Sequence, residues 1–258
     1  MTWSQMQRAY YDGRARLFDR AHFGGRANRN HFKKIAAIAT ELDLSAGNNV
    51  LEVGAGTGIH SQWLLQTYAD IRVTGVDIST AMLQVARGRV AEHAEAYKRI
   101  ELCSADGEHL PFFDDQFDAV FCSGTLHHVA DQRAMVIEMT RVVKPGHPVA
   151  VMEPNWLFPT SFLAAFMTPA ERNILRMRPR NLVTWAREAG WRGIRVRPVL
   201  YSPPAPRLAF SLYDALDGIG PKLPLLRWMS VMLLLSGCKA SDANPATFPG
   251  PENDEVSR

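Results

Sequence analysis

Short runs of β-branched and other apolar residues alternate along this chain with longer stretches whose apolar positions recur at helical spacing. Between residues 49 and 153 the pattern predicts five strands: Asn49–Val53, Ile71–Val76, Arg99–Cys103, Phe117–Ser123 and Pro148–Glu153. Three helices lie between them: Ile59–Tyr68, Ser79–Ala94 with Ser79 as N-cap, and Asp131–Val143, stopped by Pro145-Gly146. Such alternation predicts an α/β fold, a doubly wound and mostly parallel sheet with helices on both faces. Two helices, Ser4–Asp19 and Asn28–Leu44, precede this block. After it come an apolar helical stretch (Trp156–Met167), a helix ended by glycine (Leu182–Gly190) and a strand (Ile194–Tyr201). Pro203-Pro204 opens an insertion with a helix over Arg207–Leu216, and Met229–Leu235 is expected as a last strand, antiparallel beside the Ile194 strand. Ser241–Arg258 is rich in Pro, Gly and acids and has no apolar period, so it is expected to be a disordered tail.

Composition narrows the class. The 258 residues are 47% hydrophobic and 21% charged, enough for a sizeable core in one large domain, with or without an appended subdomain. Three cysteines without a Cys-x-x-Cys pair make neither a disulfide framework nor a zinc site. Cys103 and Cys122 lie in apolar runs and are expected to be buried thiols, which fits a reducing cytoplasm. The polar, basic N-terminus does not read as a signal peptide. The longest apolar stretch, Leu223–Gly237, has 15 residues and contains Arg227, whereas a membrane span needs roughly 20. A cytoplasmic protein without a transmembrane segment is therefore expected, with peripheral membrane contact left open.

The strongest chemical signal is Val50-Leu51-Glu52-Val53-Gly54-Ala55-Gly56-Thr57-Gly58, which ends a strand and opens a helix. Ligands of open parallel sheets bind at the carboxyl ends of the strands, where glycines let them approach the backbone. The third glycine stands at 58 and Ile at 59, a departure from the Gly-x-Gly-x-x-Gly spacing of dinucleotide sites that counts against a nicotinamide-linked oxidoreductase. The next strand ends in Asp77, 23 residues after Gly54, where a carboxylate can accept from both ribose hydroxyls. Asp106 follows the third strand.

From Val50 to Glu153 the chain resembles the class I S-adenosylmethionine-dependent methyltransferases, closest to the small-molecule branch with ubiquinone and menaquinone biosynthesis enzymes. The glycine loop, Asp77, Asp106, Phe117-Asp118-Ala119-Val120-Phe121, Leu126-His127-His128-Val129 and Lys144-Pro145-Gly146 carry the likeness. The resemblance implies a Rossmann-like fold and S-adenosyl-L-methionine as cofactor. It places Glu52, Gly54, Gly56 and Gly58 around the cofactor's amino-acid end, Asp77 on the ribose diol and Ile78 against the adenine. Asp106 would bond the adenine amino group with Ala105 and Gly107 beside it, and Ser123 would lie near the methionine portion.

Oxygen and carbon acceptors also require removal of a proton. In phosphoethanolamine methyltransferases a similar Leu-His-Ile element supplies a histidine that acts with an N-terminal tyrosine. By that resemblance His128 and Tyr11 are the catalytic candidates, with Tyr10 beside Tyr11 and His127 beside His128. Loop packing is the competing reading for the histidines, and simple amphipathic packing for the first helix. The remaining histidines show no metal-ligand spacing, and no metal is expected. The implied organisation is a helical lid over 1–45, a cofactor-binding core over 46–154, and a part over 155–240 that completes the sheet and shapes the acceptor site, followed by the tail over 241–258.

Charge is concentrated in one place. Residues 171–207 hold nine arginines against Glu171 and Glu188, a local charge of +7 in a chain of +3. With the apolar residues of Trp156–Met167 this suggests an aromatic or lipid-like acceptor, one bearing phosphate or carboxylate, recognised by arginines such as Arg176 and Arg180. A solvated basic surface is the plainer reading. No nucleic-acid motif accompanies the basic run. The same surface suits a homodimer as well as a monomer. A protein that binds the cofactor without turnover is the non-enzymatic alternative.

Overall fold

The computed structural model describes residues 1–23, 27–93, 95, 98–200, 215, 218–223 and 228–241. Seven strands form one sheet: β1 (Asn49–Val53), β2 (Arg72–Asp77), β3 (Ile100–Ser104), β4 (Ala119–Ser123), β5 (Pro148–Pro154), β6 (Trp191–Val199) and β7 (Met232–Lys239). Their order is β3-β2-β1-β4-β5-β7-β6. β1 to β5 pair in parallel, and β7 lies antiparallel between β5 and β6. The last strand thus joins the Ile194 strand as expected, and it also inserts between that strand and the parallel core.

Apolar residues occupy both phases of the central strands because both sheet faces are covered. In β4, Val120 and Cys122 enter one core cluster while Ala119 and Phe121 enter the other. β7 repeats the division, with Leu233 and Leu235 on one face and Met232 and Leu234 on the other. On the first face pack α6 (Gln132–Val142) and α8 (Pro179–Glu188), through Met135, Met139, Leu182 and Ala186. On the second pack α3 (Ala27–Leu42), α4 (Ile59–Thr67) and the end of α5 (Thr80–Ala91), through Ile35, Ile38, Leu64 and Val90. Ser79 caps α5, its hydroxyl accepting from Met82 N at 3.1 Å, and Asp131 caps α6 in the same way.

Several expectations change. The single N-terminal helix is two, α1 (Trp3–Asp12) and α2 (Ala15–Phe23), separated at Gly13, the residue with the weakest helix propensity in the stretch. α7 (Pro159–Met167) begins at Pro159 rather than Trp156, because proline favours the first helical position and disfavours helix before it. For the same reason α8 begins at Pro179, ahead of Leu182. A 3₁₀ segment, Pro169–Arg176, was not expected from periodicity. Cys122 is buried, but Cys103 is only half-buried because β3 is an edge strand. The helix expected over Arg207–Leu216 falls outside the described residues except for residue 215, as does the tail beyond Ser241. Among the described residues no helix is long and apolar enough to cross a membrane.

Candidate active site

Parallel strands joined by crossovers bring the carboxyl ends of β1 to β5 to one edge, and a cavity of about 480 Å³ opens there. The loop after β1 forms its floor. Gly54 takes φ 80°, and a Cβ there would fall 2.1 Å from Thr125 Oγ1 in the loop after β4. Gly58 takes φ 72°, and its missing Cβ lets α4 begin against Ala86 of α5.

Of the residues singled out by sequence, Tyr11, Gly54, Gly56, Asp77, Ile78, Ala105, Asp106, Gly107, Ser123 and His128 all line the cavity. Glu52 and Gly58 are not among the residues that line it. Glu52 is buried beneath the loop, where its carboxylate accepts from Ser61 Oγ and pairs with His60 Nδ1 at 3.0 Å. It braces the start of α4, and His60 rather than Glu52 reaches the cavity wall.

Asp77 accepts from Gly56 N and Ser79 N, each at 2.8 Å. One carboxylate therefore holds the glycine loop against the end of β2. Burial raises its pKa to about 6; the two backbone N–H bonds act against that rise, and the charges of Glu52 and Asp12 add to it. Asp106 accepts from Glu108 N at 3.1 Å through one oxygen.

The opposite wall joins segments far apart in sequence. α1 closes over the loop after β4: Trp3 Nε1 donates to His128 O at 2.6 Å and Gln7 Nε2 to Ala170 O at 3.1 Å. At the end of α1, Asp12 accepts from Ser79 Oγ at 2.5 Å, at the N-terminus of α5 where negative charge is favoured. Asp19, in α2, accepts from Thr57 Oγ1 at 2.6 Å and pairs with Arg89.

The adjacent histidines differ in state. His128 Nδ1 lies 3.2 Å from Ala170 O, a carbonyl that can only accept, so this nitrogen carries the proton. Nε2 is then the acceptor for the Tyr11 hydroxyl at 2.5 Å. Burial, then the charge of neighbouring His127, lowers the His128 pKa to about 3, so its ring is neutral. Burial and the carboxylate of Glu171 hold the Tyr11 hydroxyl well above its ordinary pKa. His127 is also disfavoured as a cation by burial, but two carboxylates outweigh this and raise its pKa to about 9. Its Nδ1 donates to Glu153 Oε2 at 2.5 Å and its Nε2 to Glu171 Oε2 at 3.1 Å. The other Glu153 oxygen accepts from Thr125 N and Leu126 N at 2.9 and 2.8 Å, fixing the loop to β5. The two rings lie 3.8 Å apart, centroid to centroid.

His127, His128 and Glu171 also bring ligand-type atoms within 4.8 Å of one another. In this structure both histidines are already engaged, His127 by Glu153 and Glu171 and His128 by Tyr11 and Ala170. Sequence reasoning missed Gln7, Lys34, Glu153 and Glu171. Glu153 ends a strand and reads as a strand residue, and Glu171 sits in the 3₁₀ segment that periodicity does not reveal. Nor do the arginines of 171–207 form a wall. Among the described residues none lines the cavity: Arg195 and Arg197 pair with Glu41, Arg176 donates to Gln132, and Arg178 stacks on Trp156.

The pocket suits a nucleoside bearing an amino-acid tail. Asp77 keeps acceptor capacity toward the cavity, and the cavity-lining Gln7 Oε1 is buried without a hydrogen-bond partner. Comparisons with known proteins agree. Residues 51–151 match the family model described as a methyltransferase domain. The methyltransferase GfsG of Streptomyces halstedii is 32% identical over 157 residues, 56% of this chain and 56% of that protein. The demethylmenaquinone methyltransferase of Corynebacterium urealyticum is 35% identical over 138 residues, 54% of each, and that of Mycobacterium tuberculosis 31% over 170 residues, 66% of each. The chain thus spans about half the length of the first two of these relatives. Two solved structures share the fold. The [4+2]-cyclase SpnF aligns with a TM-score of 0.67 at 21% identity, covering 92% of this chain and 96% of that one. Phosphoethanolamine N-methyltransferase 2 of Haemonchus contortus, solved with S-adenosyl-L-methionine, aligns with a TM-score of 0.67 at 19% identity, covering 93% of this chain and 60% of that one. The segment around the glycine loop and its acidic partners, residues 51–151, thus matches a methyltransferase domain.

Proposed function

We propose that this protein transfers the methyl group of S-adenosylmethionine to a small-molecule acceptor, aromatic or lipid-like, by in-line displacement. The observation that carries this reading is the Tyr11 hydroxyl at 2.5 Å from His128 Nε2, in the same cavity as Gly54, Gly56, Asp77 and Asp106. When bound, the cofactor supplies an electrophilic methyl group on a sulfonium. The protein supplies alignment, which can carry much of the rate. Asp77 would accept from the ribose diol, Ile78 would lie against the adenine, and Asp106, flanked by Ala105 and Gly107, would accept from the adenine amino group. Gly54 and Gly56 leave room for the amino-acid end, Ser123 lies beside it, and Glu52 and Gly58 shape the loop from behind. α1 and α2 act as a lid: Asp12 and Asp19 fasten them to α5 and the glycine loop. Closure excludes water from the reacting atoms.

Tyr11 and His128 face the acceptor. His128, neutral with Nδ1 tied to Ala170, offers a lone pair at Nε2. An acceptor hydroxyl would donate to the Tyr11 oxygen while the Tyr11 proton passes to His128 Nε2; the acceptor oxygen would take the methyl group as its bond to the sulfonium breaks, leaving S-adenosylhomocysteine. The names of the demethylmenaquinone methyltransferases support a lipid-like aromatic acceptor. Cytoplasmic location belongs to the same reading. A nicotinamide-linked oxidoreductase and a binder without turnover gain no support from the family match.

The test incubates the protein with methyl-labelled S-adenosylmethionine and a metabolite extract, then partitions the products between water and organic solvent. Label in the organic phase is expected. Label only in water overturns the lipid-like acceptor. Absence of label from both phases, with cofactor binding confirmed, overturns the transferase reading for every metabolite in that extract.

A further inference from the structure

The described cavity wall contains one lysine and no arginine. Lys34, on α3, is half-buried, and among the described residues its ammonium has no hydrogen bond or ion pair. Its stem is surrounded by protein while the ammonium is not among the buried unpaired atoms and stays open to the cavity. Burial accordingly lowers its pKa, with the charge of Glu153 acting the other way. The carboxylates that line the cavity have other partners: Glu171 bonds His127, Asp77 the glycine loop and Asp106 the Glu108 N–H, while Glu153 lies behind the wall, bonded to His127. Lys34 therefore offers the one lysine or arginine charge on the described cavity wall, unpaired by any described protein carboxylate.

Topology says which end of a ligand it meets. α3 packs on the sheet through Ile35 and Ile38, against Phe121 of β4 and Ala150 and Met152 of β5. Asp77 and Asp106 follow β2 and β3 on the other side of β1. Strands about 4.8 Å apart put the β3 and β5 ends roughly 19 Å from each other. A nucleoside held by Asp77 and Asp106 leaves Lys34 to the far end of the cavity.

We propose that Lys34 forms a carboxylate subsite in this cavity. The carboxylate comes from the amino-acid end of the cofactor or from an acidic acceptor. This rests on the cofactor reading above, and it assigns anion recognition to a residue outside the arginine-rich segment.

Calorimetry on the full chain separates the sources. The probes are S-adenosylhomocysteine, its decarboxylated analogue S-adenosyl-3-thiopropylamine, and 4-hydroxybenzoate added to protein saturated with S-adenosylhomocysteine. A charge-assisted bond predicts that Lys34→Gln weakens one carboxylate probe about 10- to 100-fold, while Lys34→Arg restores part of the loss. Weaker S-adenosylhomocysteine with unchanged thiopropylamine analogue identifies the cofactor carboxylate. Weaker 4-hydroxybenzoate alone identifies the acceptor's. Equal affinities in Lys34→Gln and wild type for all three overturn the subsite. Wild-type protein that binds neither nucleoside overturns the cofactor reading instead. Should Lys34→Gln not fold, reductive methylation of wild-type Lys34, read by mass spectrometry, replaces it. Protection by S-adenosylhomocysteine but not by the decarboxylated analogue, or by 4-hydroxybenzoate, supports the subsite, and protection by neither carboxylate overturns it.

Discussion

The two walls of the cavity are built differently. One consists of strand ends and the loops that follow them: 54–58 after β1, 77–79 from the last residue of β2 and 105–107 after β3. Its hydrogen bonds link residues close in sequence, such as Asp77 to Ser79 and Gly56, two and 21 positions away. The other wall joins α1, the loop after β4 and the 3₁₀ segment. Its bonds span 117 residues from Tyr11 to His128, 163 from Gln7 to Ala170 and 44 from His127 to Glu171. The first wall rests on bonds within the sheet and its loops, whereas the Tyr11, Trp3 and Gln7 bonds of the second depend on α1 being docked. A fold shared by many acceptors can keep the first and vary the second.

Substitutions at the second wall should strike turnover hardest. His128→Ala is expected to lower kcat about 10²- to 10⁴-fold with S-adenosylhomocysteine affinity kept, as loss of acid–base catalysis does. Tyr11→Phe should cost less, about 10-fold, since one hydrogen bond is lost. Unchanged turnover in His128→Ala, measured as label transferred from methyl-labelled cofactor, would remove the catalytic pair.

At the first wall the expected effect is on binding. Asp77→Asn should weaken S-adenosylhomocysteine about 10- to 100-fold. Because the Asp77 pKa is raised to about 6, its carboxylate protonates as pH falls through that value. Wild-type affinity should therefore drop about 10-fold between pH 7 and pH 5. Asp77→Asn should abolish this dependence, and an equal drop in the variant would show that another group titrates.

The next expectation concerns stability. His127 has a folded pKa near 9, above the ordinary 6.5, so its pairing with Glu153 and Glu171 contributes fully below about pH 6.5. The contribution is lost as pH rises through about 9. Tm should fall between pH 6.5 and 9.5 in the wild type and less in His127→Gln; parallel curves would break the assignment of a buried cation.

The smallest effect is expected at the arginine-rich surface. Arg180→Glu, outside the described cavity wall, should leave label transfer within about 2-fold, as surface substitutions usually do. A large loss would return anion recognition to that surface.

The central sheet was legible because two covered faces demand apolar residues in both phases, and because Gly54, Gly58, Ser79 and Asp131 each have a local backbone task. The cavity-lining places of Asp77, Asp106 and His128 followed from the same logic, since residues just after parallel strands share one edge. The partners of Glu52 were not legible, because its position in the motif does not say which residues its side chain meets; it turns under the loop to Ser61 and His60. The break of α1 at Gly13 and the 3₁₀ segment were missed because periodicity over short stretches does not fix boundaries.

The sequence by itself determined the parallel sheet, the glycine loop and the acids that follow β2 and β3, since strand period, positive φ and strand-end position are local properties. The tertiary structure decided which charges meet. Nine clustered arginines stood out in the chain, and none lines the described cavity; an unremarked lysine of α3 does, beside a neutral and a charged histidine adjacent in sequence. Burial and partner, which set the state of an ionisable group, come from residues that only folding brings together.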